Sequence, residues 1–236
     1  MKPRIGITLD IAQSGSFSSR AHYALRVHYF EAVRAAGGLP LAIAHEPTLI
    51  DDFLDHVDAV LIPGGGFASP RHWYEQPDAD LPYDPSPRLE FDLAIIERAL
   101  QRDMPLLGIC AGMQLLAGLK GCKMTHDVHS HYRTDIDHMN GAPAEALCHP
   151  IDIGSKSKLS TIYGCTHMKV NSAHKEGVVD TPDNVQVTAK SPDGVIEAIE
   201  LPDHRFAIGV QWHPEFFPND QVIVALIDEA SKSSLL

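Results

Sequence analysis

The segment LLGICAGMQ, residues 106–114, joins a short apolar run to a second apolar segment, with one cysteine at the junction. The first run predicts a buried parallel strand and the second a helix. Gly108 and Gly112 flank Cys110 symmetrically, as a sharp strand-to-helix turn without room for side chains requires. A thiol at a helix N-terminus is favoured as a thiolate. The pattern therefore predicts a nucleophile, whereas the plainer interpretation is a small buried apolar residue.

A base for this thiol is found in AIGVQWHPEFF, residues 207–217. His213 follows a strand-like apolar run, and strand ends are where α/β enzymes place catalytic groups. An imidazole can take the thiol proton, and a carboxylate such as Glu215 can fix its tautomer. We expect residues 213–215 to be extended, which would place both side chains on one side.

Together these segments resemble the class I glutamine amidotransferase domain, in which Cys110, His213 and Glu215 match the Cys-His-Glu triad. Further segments resemble its γ-glutamyl hydrolase branch, peptidase family C26, and within it most closely the γ-glutamyl-γ-aminobutyrate hydrolases of polyamine breakdown. These segments are RIGIT (4–8), GGLPLAI (37–43), LIPGGG (61–66), VNSAH (170–174) and SPDGVIEAIE (191–200). The branch usually has arginine where this chain has Ala111, so the resemblance does not define the leaving group.

The apolar patterning predicts an α/β fold with a mainly parallel, flavodoxin-like sheet flanked by helices and an appended antiparallel region after Ile151. We expect one domain over residues 1–236, a common length for a single sheet of this type. A helix is predicted over residues 21–36, with a stripe of Tyr23, Val27, Phe30 and Val33. Further predicted features are a helix capped by Thr48, a helix beginning at Ser86–Pro87 and a C-terminal helix over 221–231.

The glycine run Gly64–Gly66 follows a predicted buried strand. Consecutive glycines let backbone N–H groups turn into a cavity, as an oxyanion hole requires. We expect the N–H groups of Gly65 and Ala111 to be its donors, the alternative being a surface turn. No lysine with serine or threonine follows, which argues against a phosphate-binding loop.

The resemblance also implies contacts to the glutamyl group. Gln114, Ser172 and His174 match the segments that lie near it in class I relatives, and their polar groups suit a zwitterion. Tyr74 belongs to the long aromatic loop 67–87 that borders the substrate pocket in the branch. For each of these residues, packing or a turn is the alternative role.

The segment 121–150 is rich in histidine, and His126, His129 and His131 with Asp135 and Asp137 suggest a metal site. Pocket-lining or solvated histidines are the alternative. Because the triad needs no metal, we expect neither a metal nor another cofactor.

The composition limits the kinds of partner and substrate that we expect. The chain has 236 residues, with 19 Lys and Arg against 31 Asp and Glu, a formal charge of -12. This acidity disfavours nucleic acid and anionic membranes as partners and favours small-molecule chemistry. The resemblance implies that the small molecule is a γ-glutamyl substrate. Four cysteines, a short apolar N-terminus and the lack of a long apolar run predict a cytoplasmic protein. Whether the protein forms a homo-oligomer is left open.

The expected reaction is hydrolysis through a γ-glutamyl thioester on Cys110. Two alternatives stay open. The first is a glutaminase subunit that delivers ammonia to a partner synthase, which Ala111 favours. The second is a binding or sensor protein without activity, which an intact triad disfavours.

Overall fold

The structure is a computed structural model, which describes residues 1–66, 69–76, 87–139 and 143–233. Strands and helices alternate through its first half, and short strands dominate its second half. The strands are β1 (Arg4–Thr8), β2 (Asp10–Ala12), β3 (His22–Ala24), β4 (Leu39–Ile43), β5 (Ala59–Ile62), β6 (Leu106–Ile109), β7 (Lys123–Thr125), β8 (His149–Ile153), β9 (His167–Val170), β10 (Gly177–Asp180), β11 (Gln186–Lys190), β12 (Ile196–Glu200) and β13 (Ala207–Val210). The α-helices are α1 (Val27–Ala35), α2 (Ile50–Asp55), α3 (Pro87–Gln101), α4 (Ala111–Leu119), α5 (Val128–Tyr132), α6 (Lys158–Tyr163) and α7 (Gln221–Ser233).

A nine-stranded mixed sheet forms the centre of the fold, in the order β4-β1-β5-β6-β13-β12-β11-β8-β9. The pairings from β4 through β13 are parallel, and those from β13 to β9 are antiparallel. This confirms the predicted α/β class with appended antiparallel strands. The carboxyl ends of the parallel strands share one edge, where ligands bind in open α/β sheets.

Both faces of the sheet are covered by helices. Buried side chains of α2, α3 and α4 pack in one apolar cluster with Val60, Ile62 and Leu106. Side chains of α1, α6 and α7 pack in a second cluster with Ile5, Ile7 and other strand residues. Strands β5 and β6 are buried along their whole length, which explains their uninterrupted apolar sequence.

The predicted helix over residues 21–36 is wrong in its first turn and a half. Residues 22–24 form β3, which pairs antiparallel with β2, and α1 begins only at Val27. Tyr23 and Val27 are exposed, and the buried face of α1 is Tyr29, Ala32 and Val33. The apolar residues of this segment have helical spacing by coincidence. The pairing of β2 with β3 overrides this local pattern.

Two other local predictions need correction. Thr48 is not a cap. The capping residue is Glu46, which precedes a 3₁₀ turn over Pro47–Leu49, and the Glu46 side chain accepts a hydrogen bond from the Thr48 N–H. The region after Ile151 also contains helix α6, capped by Ser157 and ended by Gly164 at φ 65°. The C-terminal helix is confirmed as α7. Ser86, like most of the aromatic loop 67–87, lies outside the described residues.

Within the described segments of the chain, no helix is both long enough and apolar enough to cross a membrane.

Candidate active site

The turn between β6 and α4 has the geometry predicted for a nucleophile elbow. Cys110 lies at φ 51° and ψ −107°, a backbone conformation that a residue with a Cβ rarely adopts. A Cβ on Gly108 would lie 2.5 Å from the Gly112 carbonyl oxygen, and one on Gly112 would lie 2.2 Å from the Ile62 carbonyl oxygen. Both flanking glycines are therefore required by close backbone approach, as the sequence predicts.

The neighbouring strand β13 places His213 beside this cysteine. Strands β6 and β13 are parallel, with Ile109 opposite Val210. A Cβ on Gly64 would touch both groups, at 3.0 Å from His213 Cε1 and 3.2 Å from Cys110 Cβ. The thiol, the imidazole and the glycine loop therefore meet at the carboxyl edge of the sheet.

Glu215 holds the far side of the imidazole. Its Oε1 lies 2.8 Å from His213 Nδ1, and its side chain is fully buried. The contact arises differently from our prediction, because residues 214–216 form a 3₁₀ turn and are not extended. This turn brings the Glu215 carboxylate next to the His213 ring.

The His213 imidazole is strongly basic in this setting. Burial alone would lower its pKa, but the charge and hydrogen bond of Cys110, followed by those of Glu215, outweigh burial and raise the pKa to about 10. The ring therefore holds its proton at neutral pH, and can donate it to a departing group.

Two residues of the α1 region that sequence reasoning missed support this site. The Arg26 guanidinium donates to Glu215 Oε1 at 3.3 Å and to the Tyr29 hydroxyl at 2.9 Å. The Tyr29 hydroxyl in turn accepts the Gly64 N–H at 2.9 Å. Neither residue belongs to a recognisable motif. Both lie in a segment that was predicted as one continuous helix, so the sequence gave no reason to single them out.

Arg88 fixes the glycine loop from behind. This arginine is 2% exposed, forms ion pairs with Asp10 and Asp92, and donates to the carbonyls of Pro63 and Gly64 at 2.7 and 3.3 Å. The Gly64–Gly65 peptide is trans, so its N–H points opposite to its carbonyl. The Gly65 N–H is consequently directed away from Arg88.

Asn171 secures the backbone of His213. Its Oδ1 accepts the His213 N–H at 3.0 Å, and its Nδ2 donates to the His213 carbonyl at 2.9 Å and to the Ala144 carbonyl at 2.7 Å. The side chain is 1% exposed. The signal that could have identified it is its position directly before the predicted contact Ser172.

A cavity of about 620 Å³ opens above Cys110 and His213. Asp10 and Arg26, which carry opposite charges, are among the residues that line it. The remaining lining residues are Ile11, Ala12, Ala24, Leu25, Gly64, Gly65 and Ala173. Hairpin β2–β3 thus supplies much of the wall, although the sequence gave no indication of it.

The four predicted substrate contacts are not among the described residues that line this cavity, and each is bonded to protein groups. Gln114 Nε2 donates to the Glu176 carbonyl at 3.1 Å, and the Tyr74 hydroxyl donates to Glu176 Oε2 at 2.7 Å. Ser172 Oγ donates to the His138 carbonyl, and His174 Nδ1 lies 2.9 Å from the Glu176 carbonyl. Their contact with substrate stays a prediction. Ala111, 3% exposed, is the first residue of α4.

The histidines named as an alternative metal site do not form a ligand group among the described residues. In the part of the chain that the structure describes, the one group of metal-ligating type comprises His138, His174 and Glu197, without His126, His129 or His131. The His126 ring stacks on Tyr74 with 3.3 Å between ring centroids. His129 and His131 are exposed on α5.

Comparison with known proteins finds relatives over nearly the whole chain. The chain is 32% identical to the γ-glutamyl-γ-aminobutyrate hydrolase PuuD of Escherichia coli (strain K12), over 96% of this chain and 91% of that protein. It is also 32% identical to a glutamine amidotransferase-like protein of Rickettsia prowazekii, over 99% of this chain and 98% of the relative.

Among solved structures, the glutaminase domain of Trypanosoma brucei CTPS with bound acivicin has the same fold. The TM-score is 0.60 at 16% identity, over 98% of this chain and 94% of that one. The profile of the Peptidase C26 family matches residues 3–215. This protein is therefore a glutamine amidotransferase-like hydrolase and belongs to the peptidase C26 family.

Proposed function

We propose that the protein hydrolyses γ-glutamyl amides of the γ-glutamyl-γ-aminobutyrate type, with Cys110 as nucleophile. The observation that carries this proposal is that Cys110 and His213 line one cavity, while the buried Glu215 carboxylate lies 2.8 Å from His213 Nδ1. The identity to a γ-glutamyl-γ-aminobutyrate hydrolase supports the choice of substrate.

The first half-reaction forms a thioester. The Cys110 thiolate attacks the γ-carbonyl carbon, and the carbonyl oxygen becomes an oxyanion. His213 then gives its proton to the amine nitrogen as the C–N bond breaks, which leaves a γ-glutamyl thioester and a free amine. Glu215 keeps the imidazole oriented and stabilises its charged form.

The second half-reaction returns the free enzyme. His213, now neutral, takes a proton from water as the oxygen attacks the thioester carbon. Glutamate leaves, and the thiolate and the imidazolium are restored. The oxyanion in both steps is bound by the N–H groups of Gly65 and Ala111, each worth about 3 kcal/mol of barrier by analogy with single-donor losses elsewhere. The orientation of the Gly65 peptide supports its part in this role.

The charges of the cavity suit a glutamyl group. Asp10 and Arg26 present a carboxylate and a guanidinium to the same space, and a glutamyl α-carbon carries an ammonium and a carboxylate. These side chains complement the two charges of the zwitterion, beside the roles proposed for Gln114, Ser172, His174 and Tyr74.

Trapping by hydroxylamine tests the mechanism. Hydroxylamine attacks a thioester faster than water does, so the enzyme with γ-glutamyl-γ-aminobutyrate should yield γ-glutamyl hydroxamate, and Cys110→Ala should yield none. Hydroxamate formation that persists in Cys110→Ala would contradict the thioester.

A glutaminase subunit is the second candidate, because Ala111 stands where the hydrolase branch usually has arginine. In that case free glutamine would be the substrate, and its turnover would rise when a synthase partner is added. Absence of thioester chemistry with both substrates would favour a binding protein on the same fold.

A further inference from the structure

A buried carboxylate on β12 has no role in the proposed reaction. Glu197 is 0% exposed, and neither of its carboxylate oxygens makes a hydrogen bond with the described residues. An ionised carboxylate in the protein interior is strongly destabilising unless a positive group or a metal compensates it. The environment of Glu197 must therefore supply positive charge.

Three histidine nitrogens face one oxygen of this carboxylate. His138 Nδ1, His174 Nε2 and His149 Nε2 lie 3.3, 3.5 and 3.6 Å from Glu197 Oε1. All three side chains are at most 4% exposed. None of these nitrogens makes a hydrogen bond within the described parts of the chain. Four polar atoms are thus buried together without conventional partners.

The opposite nitrogen of each ring is already bonded to an acceptor. His138 Nε2 lies 3.0 Å from Asp193 Oδ2, His149 Nδ1 lies 3.2 Å from the Pro150 carbonyl, and His174 Nδ1 lies 2.9 Å from the Glu176 carbonyl. Carbonyl and carboxylate oxygens only accept, so in neutral rings the proton is on these nitrogens. The nitrogens that face Glu197 then present lone pairs to a negative oxygen, and this arrangement needs positive charge, which either a bound cation or added protons on the rings would supply.

The spacing suits a metal ion. Four ligands in a tetrahedron around Zn²⁺, with bonds of about 2.0–2.1 Å, are about 3.4 Å apart. The three nitrogen-to-oxygen distances lie close to this spacing, and the donor atoms of His138, His174 and Glu197 are all within 4.8 Å of one another. Imidazoles whose second nitrogen donates to a carboxylate or carbonyl are typical of metal sites.

We propose that His138, His174 and Glu197 bind a divalent cation of the zinc class. Two neutral imidazoles and one carboxylate leave a fourth tetrahedral position for water, and the His149 Nε2 faces the same carboxylate oxygen at 3.6 Å. A second, shallow pocket of about 370 Å³ is lined by His138, His174 and the acidic residues Asp127, Asp135 and Asp137, and provides a route of entry for the cation.

The ion would stabilise one wall of the candidate active site. The His174 N–H and the Ser172 hydroxyl both donate to the His138 carbonyl, at 2.9 and 2.7 Å, and Ala173 between them lines the cavity above Cys110. A metal that holds His138 and His174 together therefore holds residues 172–174 in place. This gives His174 a positioning role for the cavity wall.

Metal analysis and cobalt substitution test the site on the whole protein. We expect about one Zn²⁺ per chain after purification and dialysis, and a melting temperature that falls on chelation and recovers with Zn²⁺. Co²⁺ in place of Zn²⁺ should give the intense visible absorption of a tetrahedral ion. Glu197→Gln should lose the metal, and Asp193→Asn should weaken its binding by about 10- to 100-fold.

His167→Ala is the matched control, since His167 pairs with Asp152 at 2.8 Å on the surface and should keep full metal content. If Glu197→Gln does not fold, the wild-type measurements still decide. Wild-type protein that holds no stoichiometric metal, shows no visible Co²⁺ bands and melts identically with chelator would overturn the proposal. The cluster would then be neutralised by protons on its histidines.

Discussion

The backbone N–H of Cys110 donates a 2.8 Å hydrogen bond to the carbonyl of Val210. This bond extends the parallel ladder between β6 and β13 by one residue past the end of β6, to Cys110 itself. The position of the cysteine relative to the strand that leads to His213 is therefore set by sheet register and does not depend on loop conformation. Rigid placement of this kind is what nucleophile–base pairs require.

Replacing Cys110 should separate activity from stability. Cys110→Ala is expected to abolish turnover while the fold is retained. Cys110→Gly should also be inactive but more stable than the alanine variant by about 1 kcal/mol, because φ 51° is strained for a residue with a Cβ. Urea unfolding of the two variants measures the difference. Equal stability, or a less stable glycine variant, would contradict the strain.

Glu215 should control the alkaline limb of the pH profile. Its carboxylate is one of the groups that raise the His213 pKa to about 10. In Glu215→Gln that contribution is lost, the imidazole loses its proton at lower pH, and kcat should begin to fall at lower pH than in the wild type. Glu31→Gln, an exposed change on α1, is the control. An unchanged alkaline limb would mean that Glu215 does not govern the ring.

Two adjacent glycines provide a matched test of the oxyanion loop. A Cβ on Gly65 would lie 1.9 Å from the Arg88 guanidinium, whereas one on Gly66 meets no described atom within 4 Å. Gly65→Ala should therefore displace the loop and lower kcat by 100-fold or more, on the order of one lost oxyanion donor. Gly66→Ala should keep near-normal kcat. Steady-state kinetics of both variants make the comparison, and similar losses in both would refute the assignment to Gly65.

Asn171 should matter for both stability and rate. Asn171→Ala removes the acceptor of the buried His213 N–H, at an expected cost of about 1–3 kcal/mol, and leaves the His213 carbonyl with the longer 3.5 Å bond from the Phe216 N–H. The imidazole should also lose its fixed position, which lowers kcat more than it changes KM. Asn184→Ala, in an exposed turn, serves as the control. A fully active, equally stable Asn171→Ala enzyme would show that the ring is held by other contacts.

Asp10 should contribute to substrate binding. Asp10 lines the cavity, and its side chain is 39% exposed. Asp10→Asn removes the charge that would face the glutamyl ammonium, so KM should rise several-fold with a smaller effect on kcat. Kinetics with γ-glutamyl-γ-aminobutyrate test this. Because Asp10 also pairs with Arg88, an unchanged KM with a reduced kcat would instead assign it to support of the glycine loop.

The features that sequence reasoning predicted are those encoded locally. Gly108, Cys110 and Gly112 specify the elbow within five residues, and His213 follows a strand whose apolar run is evident. Hairpin β2–β3 was missed because Tyr23 and Val27 have helical spacing, although residues 22–24 pair with residues 10–12 of β2.

The burial of charged residues could not be predicted from the sequence for a related reason. Arg88 appears as an ordinary first-turn arginine until Asp10, Asp92 and the glycine loop surround it. Glu197 lies in a strand whose residues are all buried, so alternation gives no information about its side chain. Its histidine neighbours come from three separate segments that only the pairing of β8 with β9 and β11, and of β11 with β12, brings together.

The most direct test of the account is glutamate release by purified protein given γ-glutamyl-γ-aminobutyrate or free glutamine, with Cys110→Ala as control. We expect cleavage of the γ-glutamyl amide well above that of glutamine and its complete loss in the variant. Wild-type protein with an intact fold that releases no glutamate from the γ-glutamyl amide, or releases it equally in Cys110→Ala, would contradict the central claim.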